Sequence, residues 1–242
     1  MPGPSDAKRG IRRLTLPGRP LTLADASALE RAALALREDR GARVVVLDSA
    51  GPDFCPGPPE GWDPLDSGVD AAAALAAVRC PTVAVLEGRV QSLGLELALA
   101  CDLRVAGRGA TFAMPEIRAG RLPCWGATQR LPRAAGVPFA LALLYGEERG
   151  AEAATAAGLV QILASEPGGA AAAAEATVEQ LLGLGPIALE LVKEAVYRGR
   201  ELPLRGALEL EGDFNHLLQA TTDRAEGLAA FAEKRPPEFT GN

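Results

Sequence analysis

The chain has 242 residues, 48% of them hydrophobic but only 4% aromatic, so Ala, Leu and Val must fill a core of ordinary domain size. A net charge of −6, with Lys and Arg scattered, argues against nucleic acid or a membrane surface as a partner and leaves room only for a local basic pocket. The 27 Gly and 19 Pro carry no Gly-X-Y period, which excludes collagen and implies many turns.

Residues 11–16 read as a strand closed by Pro17-Gly18, and residues 25–37 as a helix with Leu29, Ala32, Ala33 and Leu36 on one face. Residues 43–47 form a short apolar run, as in a strand covered on both sides. A breaker-rich stretch follows over 51–68, with prolines at 52, 56, 58, 59 and 64. Then come an alanine helix over 70–79, a buried strand over 82–86, and a turn from Gly88 to Gly94 that enters a helix running to about Cys101. Strands are expected over 103–106 and 111–114. This alternation predicts an α/β domain with parallel strands. From about Gly126 the chain turns helical, with helices expected over 151–157, 169–182, 186–197, 204–218 and 223–233 and one last strand over 159–163. Residues 1–185 are read as the core domain and 186–242 as a C-terminal helical region.

Cys55, Cys80, Cys101 and Cys124 lie far apart with no CxxC, and His216 is the only histidine. That pattern predicts no zinc site and a reducing compartment. The first 13 residues lack an apolar signal core, and no apolar run reaches the length of a membrane span. A soluble, cytoplasmic protein without metal is expected.

Three groups could carry chemistry. Ser92 sits in Val90-Gln91-Ser92-Leu93-Gly94, a near match to a nucleophile elbow, but Val90 stands where the first Gly is needed. Its triad would need His216 and Asp213, which fall together on one predicted helix. The plainer reading makes Ser92 a small turn residue. Glu96 lies in the first turn of an otherwise apolar helix, where it is either a working carboxylate or an acid favoured by the helix dipole. Glu116 follows a strand in Met114-Pro115-Glu116, where it either joins Glu96 as an acid/base pair or simply begins a helix.

The run Gly88-x-Val90-x-Ser92-Leu93-Gly94-x-Glu96-Leu97-Ala98-Leu99-Ala100-Cys101-Asp102-Leu103-Arg104-Val105-Ala106 resembles the signature of the crotonase (enoyl-CoA hydratase/isomerase) superfamily, G-x-A-x-G-G-G-x-E-L-A-L-A-C-D-x-R-I-A. Phe54-Cys55-Pro56-Gly57, Phe112-Ala113-Met114-Pro115-Glu116, Thr128-Gln129-Arg130-Leu131-Pro132-Arg133 and Glu226-Gly227 through Arg235-Pro236 extend the likeness along nearly the whole chain. The resemblance implies a ββα spiral with C-terminal helices for trimer assembly, as a homotrimer or a dimer of trimers. It also implies an acyl-CoA thioester as substrate, with coenzyme A part of that substrate and no separate cofactor.

By the same resemblance, Glu96 and Glu116 occupy the positions that hold and activate water in enoyl-CoA hydratases. Two backbone amides should form an oxyanion hole for the thioester oxygen. One maps to Leu93, beside Gly94 at the helix start. The other maps to Pro58, which has no N–H, so only Gly57 and Glu60 could donate nearby, Gly57 being the first choice. Pro115, Cys124 and Trp125 are expected to line the acyl pocket, with Cys124 and Trp125 narrowing it. Hydration of a 2-enoyl-CoA is the first expectation. Isomerisation, another lyase reaction, or an accessory protein that binds acyl-CoA without turning it over are the alternatives. Arg19 is the one candidate contact for the CoA phosphates, against its plainer reading as a solvated arginine.

Overall fold

The computed structural model describes residues 4–166 and 168–242. The elements in chain order are α1 (Pro4–Lys8), β1 (Ile11–Leu16), α2 (Leu23–Glu38), β2 (Val44–Ser49), α3 (Ala71–Ala76), β3 (Thr82–Leu86), β4 (Arg89–Gln91), α4 (Leu93–Ala100), β5 (Leu103–Ala106) and β6 (Thr111–Ala113). After these come α5 (Ala127–Ala135), α6 (Val137–Leu144), β7 (Glu148–Gly150), α7 (Ala151–Ala156), β8 (Ile162–Leu163), α8 (Ala170–Leu182), α9 (Pro186–Gly199), α10 (Leu204–Gln219) and α11 (Thr222–Glu233).

The chain forms two compact units. The first runs to Val78 and resumes over Thr82–Ala176. Its main sheet is parallel, in the order β1-β2-β3-β5-β8, and a smaller sheet places β6 between parallel β4 and antiparallel β7. Val44 to Leu47 on β2 are all buried, as the continuous apolar run requires of a strand covered on both faces. A capping box starts α2, in which the Thr22 side chain takes the Asp25 amide while the Asp25 carboxylate takes the Thr22 amide. Asp70 caps α3, which is shorter than the alanine run suggests because its helical bonds end at Ala77.

The second unit contains Arg79–Pro81 and Thr177–Asn242, so the changeover falls inside α8. Arg79 pairs with Glu190 at 2.6 Å, and the Lys193 ammonium donates to the Cys80 carbonyl at 3.0 Å. Asp223 accepts from the Thr240 and Gly241 amides, and Arg235 grips Glu226, so side chains tie down the C-terminal segment. Among the described residues, no helix is long and apolar enough to cross a membrane.

Candidate active site

The site begins where the proline loop meets β4. Phe54 N–H donates to the Glu87 carbonyl at 2.7 Å, Cys55 N–H to Arg89 at 3.0 Å, and Gln91 N–H returns to Cys55 at 2.9 Å. Arg89 also holds the Asp53 carboxylate at 2.7 Å. These bonds lay Cys55 beside Val90 and bring Gly57 and Pro58 to the start of α4. Gly94 permits the approach, because a Cβ there would sit 2.5 Å from the Cys55 Cβ. Gly57 makes the turn at a φ of +106°, where a side chain would be strained.

Two cavities open here. The outer one, about 540 Å³, is lined by Pro56 and residues 58–63 of the loop together with Ser92, Pro115, Glu116 and Arg121. The inner one, about 20 Å³, is lined by Pro58, Ser92, Leu93, Glu96, Glu116 and Cys124 among others. Such a volume suits one water molecule. Glu96 is 1% exposed. Its Oε1 accepts from the Trp125 amide at 2.8 Å and the Ala127 amide at 3.0 Å, while Oε2 is buried with no hydrogen-bond partner among the described residues. Burial pushes its pKa up to about 7 against the pull of these two amides, and the nearby Glu116 charge adds to the rise. Glu116 Oε2 is likewise buried without a protein partner. Two carboxyl groups thus line one water-sized space, each with a buried oxygen that has no protein partner.

The Leu93 N–H is the first amide of α4 and has no hydrogen-bond partner among the described residues. There the helix dipole favours negative charge. Pro58 lines both cavities but has no N–H. Burial pushes the Cys55 thiol up to about 11, and its Sγ lies 4.0 Å from the Gly57 carbonyl, which also accepts the Leu21 amide at 2.8 Å. Gly57, the expected replacement donor, lines neither cavity.

Cys124 lines the inner cavity, its thiol raised to about 12 by burial and then by the charges of Glu96, Asp63 and Glu116. Trp125 lines neither cavity, which corrects its expected place in the pocket wall. A buried indole needs an acceptor, and its N–H turns to the Val69 carbonyl at 2.7 Å while its backbone amide holds Glu96. Asp213 and His216 lie on α10 in the second unit, whereas Ser92 belongs to the first. Arg19 pairs with Asp25 at 2.8 Å. Sequence reasoning missed Asp63 and Arg121, which line both cavities. It also set aside Ser92, although a serine between a strand and an apolar helix was the available signal.

The family model described as Enoyl-CoA hydratase/isomerase matches residues 20–242. The bovine (Bos taurus) mitochondrial protein named enoyl-CoA hydratase domain-containing protein 2 is 39% identical over 230 residues, covering 89% of this chain and 78% of its own. The mitochondrial methylglutaconyl-CoA hydratase of Rattus norvegicus is 35% identical over 228 residues, covering 88% and 72%. The crystal structure of an enoyl-CoA hydratase from Bacillus anthracis superposes with a TM-score of 0.87 at 30% identity, covering 96% of each chain. The family match spans most of the sequence, the relatives agree with it in identity and fold, and the chain belongs to the enoyl-CoA hydratase/isomerase family.

Proposed function

We propose that the protein is an enoyl-CoA hydratase, adding water across the double bond of a 2-enoyl-CoA thioester. The observation that carries this reading is the inner cavity of about 20 Å³, walled by the buried carboxyl groups of Glu96 and Glu116. A water held there has two acceptors for its protons. With its pKa near 7, Glu96 is well matched to a general base at neutral pH, and the Trp125 and Ala127 amides fix its orientation. As the water oxygen bonds to the β-carbon, Glu96 Oε2 takes its proton and the π electrons move toward the thioester oxygen. The Leu93 amide, at the positive end of α4, stabilises that developing oxyanion. The proton that Glu96 took then passes to the α-carbon by way of Glu116, which leaves both carboxyl groups as they began, and the product is a 3-hydroxyacyl-CoA.

The missing Pro58 amide supports a second reading, an accessory protein that binds acyl-CoA without turning it over. Incubation with crotonyl-CoA, following loss of the enoyl absorbance, separates the two. Turnover supports the hydratase. Tight binding of saturated butyryl-CoA, with no hydration of crotonyl-CoA or a branched enoyl-CoA, overturns it in favour of the accessory protein.

A further inference from the structure

The oxyanion hole implied by the proposed function has one amide where two are expected, and Ser92 is placed to complete it. Its backbone sits at φ +54° and ψ −125°, a region that costs any residue with a side chain. Among the described residues, only Ser92 and Lys234 combine a side chain with positive φ. The superfamily signature has glycine at this position, so the strain enters with the serine. The same chain carries proline where the signature implies an amide donor. The conformation is held from both sides, since Ser92 N–H donates to the Ala113 carbonyl and Ser92 O accepts from Glu96 N–H, each at 3.1 Å.

The hydroxyl is not spent on the fold. Ser92 is the N-cap residue of α4, where a serine oxygen ordinarily accepts an amide of the first turn, yet it makes no capping bond. The residue is 5% exposed, its Oγ has no hydrogen-bond partner among the described residues, and it lines both cavities. A Cβ built on Gly57 would lie 3.2 Å from Ser92 Cβ and 3.7 Å from Oγ. The hydroxyl therefore stands beside the Gly57-Pro58 segment, on the side of the hole that lacks its amide. Of the nearby residues, Gly57 lines neither cavity, Glu60 lines only the outer one, and Pro56, Pro58 and Pro59 have no N–H.

We infer that the Ser92 hydroxyl is the second oxyanion donor, replacing the amide lost at Pro58 and pairing with the Leu93 amide on the thioester oxygen. It donates a hydrogen bond and transfers no proton. This role rests on the acyl-CoA reading above, and it makes Ser92 a catalytic residue that the sequence pattern conceals.

The test combines kinetics with the infrared carbonyl stretch of bound butyryl-CoA carrying ¹³C at the thioester carbon. In wild type, two donors shift the band to lower wavenumber relative to free ligand. Ser92→Ala and Ser92→Gly each lose part of that shift and lower kcat by about 10²–10³, with KM changed only a few-fold. Ser92→Gly removes the backbone strain and so guards against a folding defect in the alanine variant. Pro58→Ala restores an amide, and Ser92→Ala added to it then costs less than about tenfold, because the two donors substitute for each other. An unchanged band and rate in both Ser92 variants, with butyryl-CoA still bound, overturn the donor role alone. An equal cost of Ser92→Ala with and without Pro58→Ala overturns it too, because Ser92 then acts through the fold. Failure of wild type to bind butyryl-CoA removes the acyl-CoA reading and this inference together.

Discussion

Helix α4 has eight residues and buries all of them, whereas α10 has sixteen and buries none. Packed against α3, β4 and α5, α4 has no solvent-facing side, so even Glu96 is taken from water. Desolvation turns an ordinary carboxylate into a group that titrates near neutrality, and the same packing fixes its direction through two amides. On α10, Leu204, Leu208 and Leu217 remain exposed, as do Val192 and Val196 on α9. Burial creates the chemistry in the first helix, and its absence leaves apolar surface in the second.

Removing the charge that α4 buries should give the largest effect. Glu96→Gln and Glu116→Gln keep side-chain size and hydrogen bonding but cannot accept or give a proton as a carboxyl does. Each is expected to lower hydration by about 10²–10⁴ while acyl-CoA affinity changes far less. Full activity in both variants would show that the roles are wrongly assigned.

That experiment tests residues whose legibility differed. Glu96 stood out in the sequence as a carboxylate in an apolar helix, and Pro58 revealed its missing N–H by identity alone. Parallel strands β1, β2, β3 and β5 were readable because apolar runs between breakers leave few other folds. Strands β4 and β7 were not, since three residues cannot show a period and both are defined by pairing with distant segments, β6 above all. The side to which the Trp125 indole turns depends on a carbonyl 56 residues away. The strained backbone at Ser92 was hidden because serine, unlike glycine, does not advertise positive φ. The signature itself mixes roles. Asp102 binds the Thr82 amide at 2.7 Å, and Arg104 donates to the Leu159 and Cys101 carbonyls, so these motif residues hold the fold beneath the site.

The pH dependence sharpens the contrast next. If ionised Glu96 is the base, kcat/KM should rise through about pH 7 and at pH 5 fall to about a hundredth of its plateau. Stability should move in the opposite direction. The folded pKa near 7 lies above the ordinary 4.5, so the native state keeps a proton that the unfolded chain has lost. Stability is then full below 4.5 and falls as pH rises toward 7, by at most about 3 kcal/mol. Glu96→Gln escapes this cost. Its stability relative to wild type, measured by urea unfolding, should be greater at pH 8 than at pH 4.5. An equal difference at both values would contradict the buried-carboxylate account.

The exposed face of α10 is tested by mass. The family resemblance implies a trimer or dimer of trimers, and helices without a buried residue suit surfaces that further copies cover. Light scattering should give three or six times the 25.0 kDa chain mass. Leu204→Glu with Leu208→Glu should lower that mass, and the first unit should keep its fold because neither leucine belongs to it. A monodisperse wild-type species of 25.0 kDa would show that these helices tolerate exposure on their own.

The smallest expected effect reads the field of α4 from its neighbour. Cys124 shares the inner cavity with Glu96, and burial first, then the Glu96 charge, holds its thiol near pKa 12. Little thiolate exists at pH 9, so alkylation by iodoacetamide should be slow. Replacing Glu96 with Gln removes one of the charges that oppose ionisation, and alkylation should accelerate several-fold. Saturating acyl-CoA should slow it in both proteins by covering the cavity. Cys55, Cys80 and Cys101 are buried, so the peptide carrying Cys124 should account for the label. Equal rates with and without Glu96 would mean that burial alone governs the thiol, and equal rates with and without bound acyl-CoA would take Cys124 out of the ligand's path. A several-fold gain in the variant, suppressed by ligand, would place the charge, the thiol and the acyl group around one space.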